Sequence, residues 1–151
     1  MNVAFTLGRI ALVVLFVFSG VGKLLDIPGT AEMLQSKVAI PAALNDLTSQ
    51  IAATVGMPIY QILAIVLGVI EAGCALLIAL NILTRSAAVV LLFFPAVTIF
   101  YFHEFWTTTG AEQKANMTQA LMNLSIIGAL LMLAAWPRRG VGEASERHEH
   151  L

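Results

Sequence analysis

Residues 58–80, PIYQILAIVLGVIEAGCALLIAL, decide the fold of this chain. The stretch is almost wholly apolar apart from Glu71, and as a helix it is long enough to cross the ~30 Å hydrocarbon core of a bilayer. Comparable runs occupy residues 5–25, 86–103 and 119–136. The sequence therefore predicts an all-α, integral membrane four-helix bundle.

The overall composition agrees with a membrane protein. Of the 151 residues, 59% are hydrophobic and 11% are charged, whereas soluble domains are about 45–50% apolar and about 25% charged. The length predicts one domain over residues 1–140, followed by a polar tail, residues 141–151, that is expected to be disordered. The net charge of −1 provides no basic field, so nucleic acid is not an expected partner. Cys74 is the only cysteine, which excludes an intrachain disulfide or a CxxC redox pair.

The segment between the first two spans has a mixed composition. Residues 30–37 and 41–55 have the amphipathic pattern of short helices that lie on a membrane surface. Gly56 is expected to end the second of them. We therefore expect interfacial helices in the first long loop.

Positive charges indicate the orientation of the four spans. The side that carries both termini and the 81–85 turn has five arginines, and the opposite side has three lysines. The arginines are Arg9, Arg85, Arg138, Arg139 and Arg147, and the lysines are Lys23, Lys37 and Lys114. The positive-inside rule then predicts that both termini are cytoplasmic.

Glu71 is the most informative single residue, because it lies near the middle of its span. A charge at a span centre costs about 2.5–3.5 kcal/mol on insertion scales, so it needs a partner or a proton, and such residues often mark functional sites. Counting depth along the helices brings Arg9 within side-chain reach of Glu71. We predict a structural Arg9–Glu71 ion pair. A ligand-binding or proton-handling role for Glu71 is the alternative, and the two are compatible if the pair opens.

A second polar group is expected at the outward end of the bundle. Antiparallel threading places Lys23, Gln61, His103 and Asn123 at similar depth, one from each helix. A histidine such as His103 can serve as a proton donor or acceptor and Lys23 can bind an anionic or quinone-like oxygen, so the set suits a redox or acid site. The competing interpretation is that Lys23 extends to lipid headgroups and His103 is an interfacial residue. His103 and Glu104 provide too few ligands for a metal site, and none is predicted.

Small residues in three spans provide faces where helices could approach closely. They are Gly20 and Gly22, Gly68 with Ala72, and Gly128 with Ala129.

Several short motifs together resemble a known family. They are Arg9 with SGVGK at residues 19–23, GVIE at 68–71, LTR at 83–85, His103, and Asn123-Leu124. In this order and at these spacings, over about residues 9–136, they resemble the DoxX family of four-helix bacterial membrane proteins. The resemblance implies an inner-membrane location and a link to redox systems, since the family is named for a subunit associated with thiosulfate:quinone oxidation. Most members have no established reaction.

Two functional hypotheses follow. The first is a quinone- or lipid-associated subunit of a membrane redox system, with the intramembrane polar residues around its ligand and quinone as a possible cofactor. The second is a non-catalytic membrane scaffold or assembly factor that binds the helices of other membrane or redox proteins, or of a second copy in a homo-oligomer. A transporter is disfavoured because no inverted repeat is evident.

Overall fold

A computed structural model describes residues 3–135 of the chain. It contains six α-helices and one short 3-10 turn within that range. The helices are α1 (Val3–Leu25), α2 (Ile27–Lys37), α3 (Asn45–Val55), α4 (Ile59–Ala79), α5 (Thr84–Phe102) and α6 (Gly110–Ala135), and the 3-10 turn is Ala42–Leu44. The predicted end of the fourth span at residue 136 and the expected disorder of the tail lie outside the described residues.

Four of these helices are long and apolar enough to cross a membrane, namely α1, α4, α5 and α6. The predicted all-α membrane bundle is therefore confirmed. Large apolar side chains such as Phe18, Phe93 and Met132 are exposed on the outer surface of the bundle. Lipid tails are the solvent that such a surface fits, because in water it would be an apolar patch of unusual size.

Both short helices predicted in the first long loop are present, the second of them as the 3-10 turn Ala42–Leu44 followed by α3. Asp26 follows the last residue of α1 and is the N-cap of α2. Its Oδ1 accepts a hydrogen bond from the backbone N–H of Gly29 at 3.0 Å. This N-cap starts α2 three residues earlier than the amphipathic pattern alone suggested. At the other end of the segment, Gly56 closes α3 in the left-handed conformation with φ of 74°, as the sequence indicated.

The last helix begins earlier than predicted. Hydropathy places the fourth span from residue 119, whereas α6 starts at Gly110. Its first turns contain Glu112 and Lys114 and are exposed. A helix needs good helix formers rather than apolar residues, so α6 continues past the apolar segment that the hydropathy pattern detects.

The four long helices are threaded antiparallel around a ring in the order α1, α4, α5, α6. Gly20 of α1 lies against Gly68 and Ala72 of α4, while Arg85 near the start of α5 donates through Nε to the carbonyl of Ala134 near the end of α6, at 2.8 Å. We call the end of the bundle with the start of α1 and the α4–α5 turn the turn end. The opposite end, with α2, α3 and the α5–α6 loop, is the loop end.

The apolar core is concentrated toward the turn end. Its fully buried members include Ile78, Leu91 and Leu130, from α4, α5 and α6. Val13 and Phe16 of α1 complete the contact among the four helices. Lys23 of α1 and Glu71 of α4 therefore lie beyond this core, on the side of the loop end.

Candidate functional site

The central feature of the site is an ion pair between α1 and α4. Lys23 Nζ donates to Glu71 Oε2 at 2.6 Å and to Ser19 Oγ at 2.7 Å. The Glu71 side chain is 4% exposed and that of Lys23 is 21% exposed. The carboxylate is thus enclosed while the ammonium group keeps an accessible side.

The direction of side chains on helices explains why these two residues meet. Long helical side chains point back toward the N-terminus of their own helix. Because α1 and α4 are antiparallel, Lys23 extends toward the turn end and Glu71 extends toward the loop end. The two charged groups therefore approach each other along the helix axis.

A close backbone contact fixes the register of α1 against α4. A Cβ atom added at Gly20 would lie 2.6 Å from the backbone nitrogen of Ala72 and 2.9 Å from the carbonyl oxygen of Gly68. A Cβ at Gly68 would lie 2.9 Å from the side chain of Leu24. Only glycine fits at these two positions without moving a helix, so Gly20 and Gly68 allow close helix approach within this chain. A Cβ at Gly22 or Gly128, which were also predicted to do so, would meet nothing within 4 Å.

This register corrects the predicted Arg9–Glu71 ion pair. Gly20 is level with Gly68 and Ala72, and Arg9 precedes Gly20 by eleven residues, or about 16 Å along the helix. The depth count assumed that α1 and α4 end at the same level. Instead α4 extends beyond α1 at the loop end, where α2 packs on it. Glu71 is consequently beside Lys23, and Arg9 lies toward the turn end.

The other three predicted site residues form no hydrogen bond with the ion pair among the described residues. Asn123 Nδ2 donates to the carbonyl of Gln119 in its own helix at 3.1 Å. Gln61 stands in the first turn of α4, ten residues from Glu71, or about 15 Å away along the helix. His103 follows the end of α5, and its Nδ1 is buried without a hydrogen-bond partner in the described part of the chain. The expected cluster is thus divided, with Lys23 at Glu71 and the remaining residues elsewhere.

Ser19 is a site residue that sequence reasoning missed. In the sequence it stands out only as the first residue of the SGVGK motif, although it precedes Lys23 by four positions and so shares its helix face. Its hydroxyl accepts one proton of the ammonium group. The i, i+4 spacing of a hydroxyl and an intramembrane lysine was the available signal.

The hydrogen bonds of Lys23 suggest what the site can do chemically. An ammonium group has three donors, of which Ser19 and Glu71 take two. No acceptor for the third is present among residues 3–135. The pair is neutral overall, so a ligand that brings an acceptor without a net charge, such as a carbonyl oxygen, would complete the site at little electrostatic cost.

Comparison with known proteins places the chain among membrane proteins. The DoxX family model matches residues 4–104, a range that includes Arg9, Lys23, Glu71 and His103. The chain is 31% identical over 128 residues to "Inner membrane protein YphA" of Escherichia coli (strain K12), an alignment that covers 85% of this chain and 79% of that protein. No solved structure matches the chain.

Proposed function

The chain belongs to the DoxX family of membrane proteins, and we propose that it is a quinone- or lipid-associated subunit of a membrane redox system. The observation that carries the proposal is the Lys23–Glu71 pair, which places an ammonium donor inside the bundle with one proton available to a ligand. Intramembrane ionisable residues that face a bundle interior are typical of functional sites.

A quinone is the ligand that best fits the chemistry of the pair. Its carbonyl oxygen would accept a hydrogen bond from the third N–H of Lys23. Its apolar body would lie among the side chains around α1 and α4. The proposal assigns binding and orientation of the quinone to this chain, and it assigns no electron transfer to the side chains described above.

The test is detection of a bound quinone in purified protein. We expect solvent extraction and mass spectrometry to find quinone with the parent protein, and a short-chain ubiquinone to raise the melting temperature. Both effects should be lost in the Lys23→Met/Glu71→Gln double variant, which removes the site without leaving an unpaired charge. Lys37→Met is the matched control, since Lys37 lies on the exposed face of α2. Quinone-free parent protein whose melting temperature does not change with ubiquinone would reject quinone as the ligand. Lipid analysis of the same extract would then test a bound lipid as the alternative ligand.

We also infer that the protein resides in the bacterial inner membrane with both termini in the cytoplasm. The name of the E. coli relative supports the location, and the positive-inside rule supports the orientation. Fusions at the C-terminus should give a fluorescent green fluorescent protein and an inactive alkaline phosphatase. A non-fluorescent fusion together with an active alkaline phosphatase would place the C-terminus outside the cytoplasm and contradict this orientation.

A membrane scaffold is the second candidate. Positions Gly22 and Gly73 are exposed, and a Cβ added at either would meet nothing within 4 Å. Partner helices, or a second copy of this chain, could approach closely there. A stable partner that is lost with Gly73→Leu but retained with Glu71→Gln and His103→Ala would favour the scaffold over the ligand site.

A further inference from the structure

A cavity that is open to the outer surface of the bundle lies between α1 and α6 at the turn end, away from the Lys23–Glu71 pair. Its volume is about 250 Å³, and its walls include Phe5 and Leu12 of α1 with Met132 and Leu133 of α6. Arg9 is the charged side chain in its lining. Of the neighbouring pairs in the ring, α1 and α6 touch each other least, so this seam of the bundle is the one that is loosely closed.

Arg9 is buried in this seam without a complete set of partners. The residue is 5% exposed, and its Nε and Nη1 have no hydrogen-bond partner among residues 3–135. A guanidinium group stays charged at all physiological pH values. Leaving two of its nitrogens unsatisfied costs more than leaving neutral donors unsatisfied.

The described carboxylates cannot neutralise Arg9. Glu71 is bonded to Lys23, and the others belong to segments at the loop end. Those others are Asp26, Glu32, Asp46, Glu104 and Glu112. The counter-charge for Arg9 must therefore come from outside residues 3–135.

We propose that the α1–α6 cavity binds an anionic phospholipid, with Arg9 holding its phosphodiester. The planar guanidinium fork matches two phosphate oxygens, and the apolar walls match the adjoining acyl chain. The cavity is smaller than the ~300–1,000 Å³ of pockets that enclose a whole small molecule, so the rest of the lipid would lie along the loosely closed seam. This site is separate from the proposed quinone site and does not rest on it.

The depth and surroundings of Arg9 fit a lipid headgroup. Arg9 lies six residues from the start of α1, about 9 Å along the helix, and its side chain points back toward the membrane surface. Arg85, bonded to the carbonyl of Ala134 at the same end of the bundle, adds a second positive charge at that end. The two charges favour a lipid with net negative charge over a zwitterionic one.

Native mass spectrometry of the full chain in mild detergent would test the proposal. With added phosphatidylglycerol we expect one retained lipid per chain, and Arg9→Met should reduce its occupancy about tenfold, as for loss of a charge-assisted hydrogen bond. Lys37→Met is the control and should retain the lipid. If Arg9→Met does not fold, Ala129→Leu fills the cavity while keeping the charge, and it too should reduce occupancy.

Four results would overturn the proposal. Equal retention of phosphatidylglycerol by Arg9→Met and the parent would show that Arg9 does not hold it. Equal retention of phosphatidylcholine and phosphatidylglycerol, or a thermal shift given by inorganic phosphate alone, would show that the site does not select an anionic lipid. Lipid binding that appears only in a Glu143→Gln/Glu146→Gln/Glu149→Gln variant would assign the Arg9 counter-charge to the tail.

Discussion

Helix α1 carries two intramembrane cations, Lys23 and Arg9, that differ in their hydrogen-bond partners. Lys23 faces α4 across a seam where the backbones touch at Gly20, and it is bonded to Glu71 and Ser19. Arg9 faces α6 across a loosely closed seam, and its Nε and Nη1 have no hydrogen-bond partner among residues 3–135. One cation is neutralised within the chain, and the other requires an anion from outside the described residues.

This difference separates a cation that contributes to stability from one that costs stability until it is bound. Removing either partner of the Lys23–Glu71 pair should leave a buried charge, whereas removing Arg9 should relieve one.

Glu71→Ala should lower the free energy of unfolding by about 3–5 kcal/mol, because it leaves the Lys23 charge inside the bundle. Equilibrium unfolding in detergent measures the effect. The Lys23→Met/Glu71→Leu double variant should recover much of the loss, since neither charge remains. A double variant that is less stable than Glu71→Ala would mean that the pair is not the cause.

Gly20→Ala should destabilise the protein by about 1–3 kcal/mol, because the new methyl group would overlap the backbone of Ala72. Gly22→Ala is the matched control on the same helix. Its methyl group would meet nothing, and alanine is the better helix former by up to about 1 kcal/mol. Equal melting temperatures for the two variants would contradict the close α1–α4 contact.

Arg9→Met should raise the free energy of unfolding in delipidated detergent by about 1 kcal/mol, because two unsatisfied buried donors are removed. Lys23→Met should lower it under the same conditions. The two substitutions should therefore change the free energy of unfolding in opposite directions, which distinguishes the α1–α6 seam from the α1–α4 seam. Destabilisation by both substitutions in delipidated protein would show that Arg9 has a stabilising partner of its own.

Lys37→Ala should change stability by less than about 0.5 kcal/mol. Lys37 Nζ lies 4.0 Å from Glu104 Oε1, and the side chains of Lys37 and Glu104 are 46% and 35% exposed, respectively. This exposed pair at the loop end calibrates what a lysine–glutamate contact contributes outside the bundle. A loss comparable with that of Glu71→Ala would remove the distinction between buried and exposed pairs.

The number and type of the helices could be predicted from the sequence, because an apolar run of sufficient length has few alternatives to a membrane helix. The start of α6 could not, because its first turns from Gly110 are polar and resemble a loop. Helical continuation there depends on local propensity, which hydropathy does not report.

The ion pair was harder to predict than the fold. Lys23 and Glu71 were both identified as candidate residues, but they were assigned to different groups, with Arg9 as the partner of Glu71. The error came from the relative heights of two helices, which depend on the Gly20 contact with Gly68 and Ala72. Glycines in a sequence indicate that some helix can approach closely, but they do not say which residues meet.

The separation of Lys23 and Glu71 along the chain also affects the synthesis of the protein. The two residues are 48 positions apart, and translation at about 5–20 residues per second produces the second roughly 2–10 s after the first. During that interval α1 has no carboxylate beside Lys23, although the long lysine side chain can reach the interface. The Lys23–Glu71 ion pair can form only once α4 has been synthesised and has docked against α1.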